Sequence, residues 1–210
     1  MYVLNIAGGK LGPLMLSSDL GGIPKYILNV DKSYYSEAKP SDVEADMIEW
    51  GKDGDRVTKT VCLNSDIFEF MERTCLQFER VTIYRFLEHV SFVQVPYFIY
   101  LVSTVLRQGG LVDVIVPNYI TLAQNILAEE ERIEGNNDFG KYDNFEGWDI
   151  ELTTELLNEP SSPHASVWTV YRAKKFWEME KRFEVIGDKT VNRFQFDGRD
   201  IYLRFIARRL

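Results

Sequence analysis

An α/β chain built on a mostly parallel sheet with helices on both faces is predicted by three observations. Short apolar segments alternate with helical patterns through the first half of the chain; the first segment, Tyr2 to Ile6, runs into Ala7-Gly8-Gly9-Lys10; and the second, Tyr26 to Val30, ends on Asp31. Alternation of strands with helices gives parallel neighbours covered on both faces. A strand that stops at small residues lets a ligand press against bare backbone, and an acid ending the next parallel strand can hold both ribose hydroxyls of a nucleotide-like cofactor.

The elements follow in order. Pro13 opens a helix at a position where its missing N–H costs nothing, and Leu11, Leu14, Met15 and Leu16 pack it on the sheet. Asp19 to Pro24 turns the chain into the second strand. Residues 39–55 form a polar connection rich in acids, broken at Trp50 and Gly51. Val61 to Asn64 is a strand, and Phe68, Met71, Cys75 and Phe78 then recur at helical spacing. Val81 to Tyr84 is a buried central strand, rich in β-branched residues. From Pro96 to Gln108, Phe98, Leu101, Val102, Val105 and Leu106 trace one helical face, with Gly109 as the stop. Leu111 to Val116 is a near-continuous apolar strand. The acidic stretch 129–151 still carries Phe139, Tyr142, Phe145 and Trp148, which fits either an ordered lid over the strand ends or a solvated excursion pinned by its aromatics. Near the end, Ile201, Leu203 and Phe205 alternate with Tyr202, Arg204 and Ile206 as in a strand with unequal faces.

Composition narrows the class. The 210 residues suit a single domain, 1–210, with an acidic and aromatic insertion or lid at about 125–165. A net charge of −8 repels phosphate backbones and anionic membrane surfaces, so neither nucleic-acid nor membrane binding is expected. The basic residues at Lys174, Lys175, Lys181 and Arg182 and at Arg204, Arg208 and Arg209 are expected on solvated faces. Cys62 and Cys75 have no His or Cys partner at zinc spacing, so they are expected as core thiols and no metal is expected. No apolar run of about 18 residues is present, and a soluble cytoplasmic protein is expected.

Asn5-Ile6-Ala7-Gly8-Gly9, Leu28-Asn29-Val30-Asp31, Ser65-Asp66-Ile67, and the tract Phe78 to Val90 followed by Arg107-Gln108-Gly109-Gly110 stand in the order of four motif regions of one family. In this order they resemble the class I, Rossmann-like, S-adenosylmethionine-dependent methyltransferases, where a "LEH" tract follows strand four and a "GG" turn precedes strand five. The match spans roughly residues 2 to 120; His164 to Trp168 and Arg182 to Val185 are similar to the family's tail. The resemblance implies one methyltransferase domain with a seven-stranded, mostly parallel sheet ordered 3-2-1-4-5-7-6. It also implies S-adenosyl-L-methionine as cofactor. Two departures stand out: Asn5 replaces the family's acid, and its three alternating glycines read Ala7, Gly9 and Leu11.

The resemblance further implies roles. Asn5, Ala7, Gly8 and Gly9 approach the methionine portion; Asp31, with Lys32 beside it, takes the ribose; Asp66 and the backbone of Ile67 hold the adenine edge, unless Asp66 is simply a helix N-cap. Tyr84 and Arg85 line the gap between cofactor and acceptor. Arg85 either clamps an anionic acceptor or forms an ion pair with a nearby acid. His164 is the candidate general base, and His89 belongs to a turn. The expected activity is methyl transfer to a small-molecule or sugar-like acceptor; the alternative is a catalytically degenerate binding or assembly module. An NAD oxidoreductase, suggested only by the match of Ala7 to Gly12 to G-x-G-x-x-G, ranks third, because the chain has no room for a usual substrate domain. A nucleophile elbow is absent, as is the Asn/Asp-Pro-Pro-Tyr/Phe signature of amino-methylating nucleic-acid enzymes.

Overall fold

The computed structural model describes residues 2–6, 26–31, 47–53, 56–63, 65–124, 127, 165–186, 192–196 and 199–210. The first strands are β1 (Tyr2–Ile6), β2 (Tyr26–Val30), β3 (Met47–Asp53) and β4 (Arg56–Leu63), leading to helix α1 (Ile67–Arg73). Next come β5 (Phe78–Tyr84), a 3-10 turn (Leu87–His89), α2 (Val95–Val105) and β6 (Leu106–Pro117). The chain continues through α3 (Val170–Met179), β7 (Phe183–Val185), β8 (Asn192–Phe196) and β9 (Arg199–Arg209). Residues 119–124 form a further helical turn.

Among the described residues, nine strands join one sheet in the order β3-β4-β2-β1-β5-β6-β9-β7, with β8 pairing to β9. The pairs β1·β2, β1·β5, β2·β4 and β5·β6 are parallel, whereas β3·β4, β6·β9, β7·β9 and β8·β9 are antiparallel. The expected seven-stranded, mostly parallel sheet is thus corrected to a mixed sheet with nine strands among the described residues. The additional strands are β3 and β8. Residues 39–55 include β3 rather than a polar connection alone, and Gly51 lies at a register shift between Trp50 and Lys52. Asp53 pairs with Arg56 across Gly54-Asp55, and Phe196 pairs with Arg199 across Asp197-Gly198. In the sequence, Gly-Asp and Asp-Gly pairs between such runs are hairpin signals.

The two faces of the sheet differ in chemistry. Because side chains alternate along a strand, Leu4 and Ile6, Val81 and Ile83, Val112, Val114 and Val116, and Leu203, Phe205 and Ala207 point to one side. There they form the core with Ile67 and Met71 of α1, Phe98, Val102 and Val105 of α2, and Ala173 and Trp177 of α3. Burying each large apolar side chain contributes about 1.5–3 kcal/mol. Helix α1 is started by Asp66, whose carboxylate accepts from the N–H groups of Phe68 and Glu69 at 3.0 and 3.3 Å. Pro96 sits in the first turn of α2, where no N–H is needed. Thr169 caps α3 by accepting from the N–H of Arg172.

Helix α1 stops at Arg73, so Phe78, expected on its face, instead opens β5. Cys75, expected in the core, is exposed for the same reason. The pairing of β5 with β6 jumps from Phe78↔Leu106 to Arg80↔Leu111, which turns residues 107–110 out of the ladder. Within that excursion Gly109 has φ +75°, and a Cβ on Gly110 would sit 2.8 Å from the Arg107 carbonyl oxygen and 2.9 Å from Leu106 Cγ. Gly110→Ala therefore destabilises the fold by about 1–3 kcal/mol through overpacking, read as a lower urea midpoint with an unchanged slope.

Candidate functional site

In an open α/β sheet, ligands bind outside the carboxyl ends of the strands where the chain order reverses. Here that point is β1, flanked by β2 on one side and β5 on the other. The parallel strands deliver Ile6, Asp31, Ser65, Arg85 and Asn118 to this edge.

Asp31 follows β2 directly, is 8% exposed, and has its N–H donated to the Leu63 carbonyl at 3.1 Å, which anchors it between the ends of β2 and β4. Asp66 is where it was expected along the chain, but its Oδ1 caps α1; the capping role, not the adenine edge, accounts for that oxygen. Ile67 directs its side chain into the core, leaving only backbone for a ligand. Ala7, Gly8, Gly9, Lys32 and His164 lie outside the described residues, as do the helix expected from Pro13 and nearly all of the 125–165 insertion.

Two expected site residues turn out to belong to the sheet interior. On the face opposite α1–α3, cross-strand register aligns Asn29, Asn5, Thr82 and Asp113 in one row across β2, β1, β5 and β6. Asn5 Nδ2 donates to Asn29 Oδ1 at 2.9 Å, and Thr82 Oγ1 donates to Asn5 Oδ1 at 2.6 Å. Asn5 is completely buried, and its amide both donates and accepts within this row. An amide in place of the family's acid suits this position, since it both donates and accepts where a lone carboxylate would only accept.

Tyr84 likewise faces inward. Its hydroxyl donates to Asp113 Oδ2 at 3.0 Å, alongside Arg80 Nη2 at 2.9 Å, and Arg204 holds Asp113 from the other side through Nε on Oδ1 and Nη2 on Oδ2, both at 2.9 Å. The Asp113 carboxylate is wholly buried. Burial first, then the nearby Asp113 charge, push the Tyr84 phenol far above its ordinary value of 10.0. Sequence reasoning passed over this group, although its signal was present: Asp113 and Arg80 are charges inside otherwise apolar strands.

Residues 165–168 are stitched to the chain just past β5 and β6. Ala165 and Ser166 donate their N–H groups to the Glu88 carbonyl at 2.8 and 2.9 Å, and Trp168 Nε1 and Ser166 Oγ donate to the Leu87 carbonyl. The Tyr119 N–H donates to the Trp168 carbonyl at 3.3 Å. Burial, followed by the charge of Glu88, raises the Tyr119 phenol as well. The LEH tract is therefore the anchor of a wall beside the ends of β5 and β6. His89 lies in the 3-10 turn, as expected of it.

No family model and no curated protein sequence matches the chain. Its likeness is to solved structures. A SAM-dependent methyltransferase from Methanosarcina mazei superposes with a TM-score of 0.56 at 16% identity, covering 100% of this chain and 92% of the other. An S-adenosylmethionine dependent methyltransferase from Mesorhizobium loti gives 0.55 at 16% identity, with 99% and 90% covered. DhpI, in its complex with SAH, gives 0.51 at 12% identity, with 99% and 76% covered. The chain has the α/β fold of the S-adenosylmethionine-dependent methyltransferases.

Two outcomes follow. Asp113→Asn leaves two guanidinium groups without their charge partner and lowers stability by about 3–5 kcal/mol in denaturant unfolding. Because folding raises the Tyr84 phenol, the unfolded chain releases this proton first; the stability is fully present below pH 10.0, the ordinary value, and is lost above it. Each such tyrosine steepens the loss by about 1.4 kcal/mol per pH unit, and Tyr84→Phe makes the alkaline decline shallower in unfolding curves collected across that range.

Proposed function

We propose that the chain is an S-adenosylmethionine-dependent methyltransferase acting on a small-molecule or sugar-like acceptor in the cytoplasm, with no part for nucleic acid or membrane. The observation that carries the reading is Asp31: a nearly buried acid, anchored to β4 at the end of β2, beside the reversal point of a methyltransferase-type sheet. An acid there fits a ribose, because its two oxygens can accept from both hydroxyls.

When bound, the cofactor supplies an electrophilic methyl group on a sulfonium. The protein's own tasks are to orient the acceptor in line with that methyl and to keep water away. Asp31, with Lys32 next to it, holds the ribose, and Ala7, Gly8 and Gly9 admit the methionine end against bare backbone. The wall of residues 165–168, fastened to Leu87, Glu88 and Tyr119, supports exclusion of water beside β5 and β6. His164, next to that wall in the chain, takes the proton released by a hydroxyl or amine acceptor.

One observation favours a second reading, a degenerate module with the same fold. Asn5 stands where the family has an acid, and its amide is occupied within the sheet, which removes a partner for the cofactor's ammonium.

Thermal unfolding with S-adenosylhomocysteine, with NADH as control, separates these readings. A ligand at about 100 times its dissociation constant adds roughly 2.7 kcal/mol, which for a chain of this size raises the midpoint by about 5–10 °C. The expected result is a rise with S-adenosylhomocysteine alone, lost in Asp31→Ala. No rise in the wild-type protein favours the module, and a rise with NADH alone favours an oxidoreductase.

A further inference from the structure

Arg85 is the first residue past β5, and its backbone adopts φ +53°. Only two non-glycine residues among those described have positive φ. The other, Lys181, is explained locally: it follows α3, and its N–H closes the helix end on the Glu178 carbonyl. Arg85 ends no helix. A left-handed conformation at such a residue is unfavourable by about 1–3 kcal/mol and persists where neighbours impose it. Here they do. The Arg85 N–H is held by the Ile115 carbonyl at 2.8 Å, Tyr84 before it is tied to Asp113, and Phe86 after it packs on Phe98 with ring centroids 5.6 Å apart.

The turn leaves the Arg85 side chain exposed at the carboxyl end of a central strand, next to the reversal point. In a chain with 32 acids against 24 lysines and arginines, an arginine in such a place is expected to find a carboxylate. Arg73, Arg80, Arg107, Arg204 and Arg208 do, while Arg172, Arg182 and Arg209 instead donate to the Val167 carbonyl, Ser103 Oγ and the Leu106 carbonyl; among the described residues Arg85 forms no ion pair and its side chain has neither kind of contact. A guanidinium presents donors in a planar fork that matches a carboxylate or a phosphate two bonds at a time. The net charge of −8 would otherwise disfavour an anion in the crevice, so a dedicated cation at its edge has a purpose.

We propose that Arg85 is the acceptor-recognition residue, and that the methyl acceptor is a small molecule bearing an anionic group, a carboxylate or a phosphate, held by this guanidinium. This rests on the methyltransferase reading above for the word acceptor, while the anion site itself is tested without it. The strained turn serves to aim the side chain along the crevice edge.

The test has two arms. In the first, the Arg85 side-chain N–H signal is followed by NMR while the protein, alone and with S-adenosylhomocysteine, is titrated with inorganic phosphate and with acetate. A saturable shift at Arg85 is expected, and the anion acting at the lower concentration assigns the group; no saturable shift with either anion overturns the site. In the second arm, hydroxy and amino compounds in matched carboxylate, phosphate and neutral amide forms are assayed for methyl transfer. An anionic form is expected to exceed its amide in kcat/KM by about tenfold or more, a preference abolished in Arg85→Gln and partly kept in Arg85→Lys. Equal rates for charged and neutral forms, or an undiminished preference in Arg85→Gln, overturn Arg85 as the recognition residue while S-adenosylhomocysteine binding leaves the methyltransferase reading standing. Conversely, a saturable anion shift without any S-adenosylhomocysteine binding overturns the methyltransferase reading and upholds the anion site. Arg85→Gly controls for folding: glycine accepts φ +53° freely, so its thermal midpoint is expected to match or exceed the wild type while the anion response disappears.

Discussion

Asp113 and the groups that converge on it hold together the centre of the sheet. A carboxylate removed from water is costly by several kcal/mol, and here it is compensated by Arg80 and Tyr84 from β5 and by Arg204 from β9, all donating to its two oxygens. The strands involved meet with opposite senses, β5 parallel and β9 antiparallel to β6. A slip of either neighbour by one residue would move its donors to the opposite face and leave the charge buried alone. The group thereby specifies register at the junction where the parallel part of the sheet becomes antiparallel.

That junction determines what the crevice presents. Tyr84 is held inward by Asp113, and the next residue, Arg85, takes a left-handed conformation and is exposed. The same logic operates one strand over: Thr82 and Asn29 engage Asn5 from both sides, so the end of β1 is tied laterally by side chains as well as by backbone. A polar row in a fully buried location is stable only when its members satisfy one another. The apolar face has no such demand and carries α1, α2 and α3 on aliphatic and aromatic contacts, among them Trp177 edge-on to Phe183 and Phe205.

The segment beside the ends of β5 and β6 is built differently, from backbone. The segment 165–168 binds to the carbonyls of Leu87 and Glu88 and offers its own carbonyl to Tyr119, so the wall depends on main-chain geometry more than on particular side chains, apart from Ser166 and Trp168. Residues 165–168 and Asp31 are thus held by separate devices, the first by the carbonyls of Leu87 and Glu88 and the second by the carbonyl of Leu63 at the end of β4.

The strands β1, β2, β4, β5 and β6, the acid ending β2, and the unequal faces of the last strand were legible in the sequence, because each is written in short-range periodicity or in the residue that ends a strand; the helix after β5 was legible too, but it ends at Val105 rather than at Gly109. Strands β3 and β8 had a legible signal too, in Gly54-Asp55 and Asp197-Gly198, but the polar residues around them masked the pairing. What only the tertiary structure decided is how polar side chains are used. Asn5, Tyr84 and Asp66 stand where a ligand-binding role was expected, yet Asn5 joins Thr82 and Asn29, Tyr84 joins Asp113, and Asp66 caps α1. The reason is physical. Local sequence determines which way a residue points along a strand, but whether a buried donor meets a ligand or another side chain depends on strands brought alongside from 24 to 91 residues away.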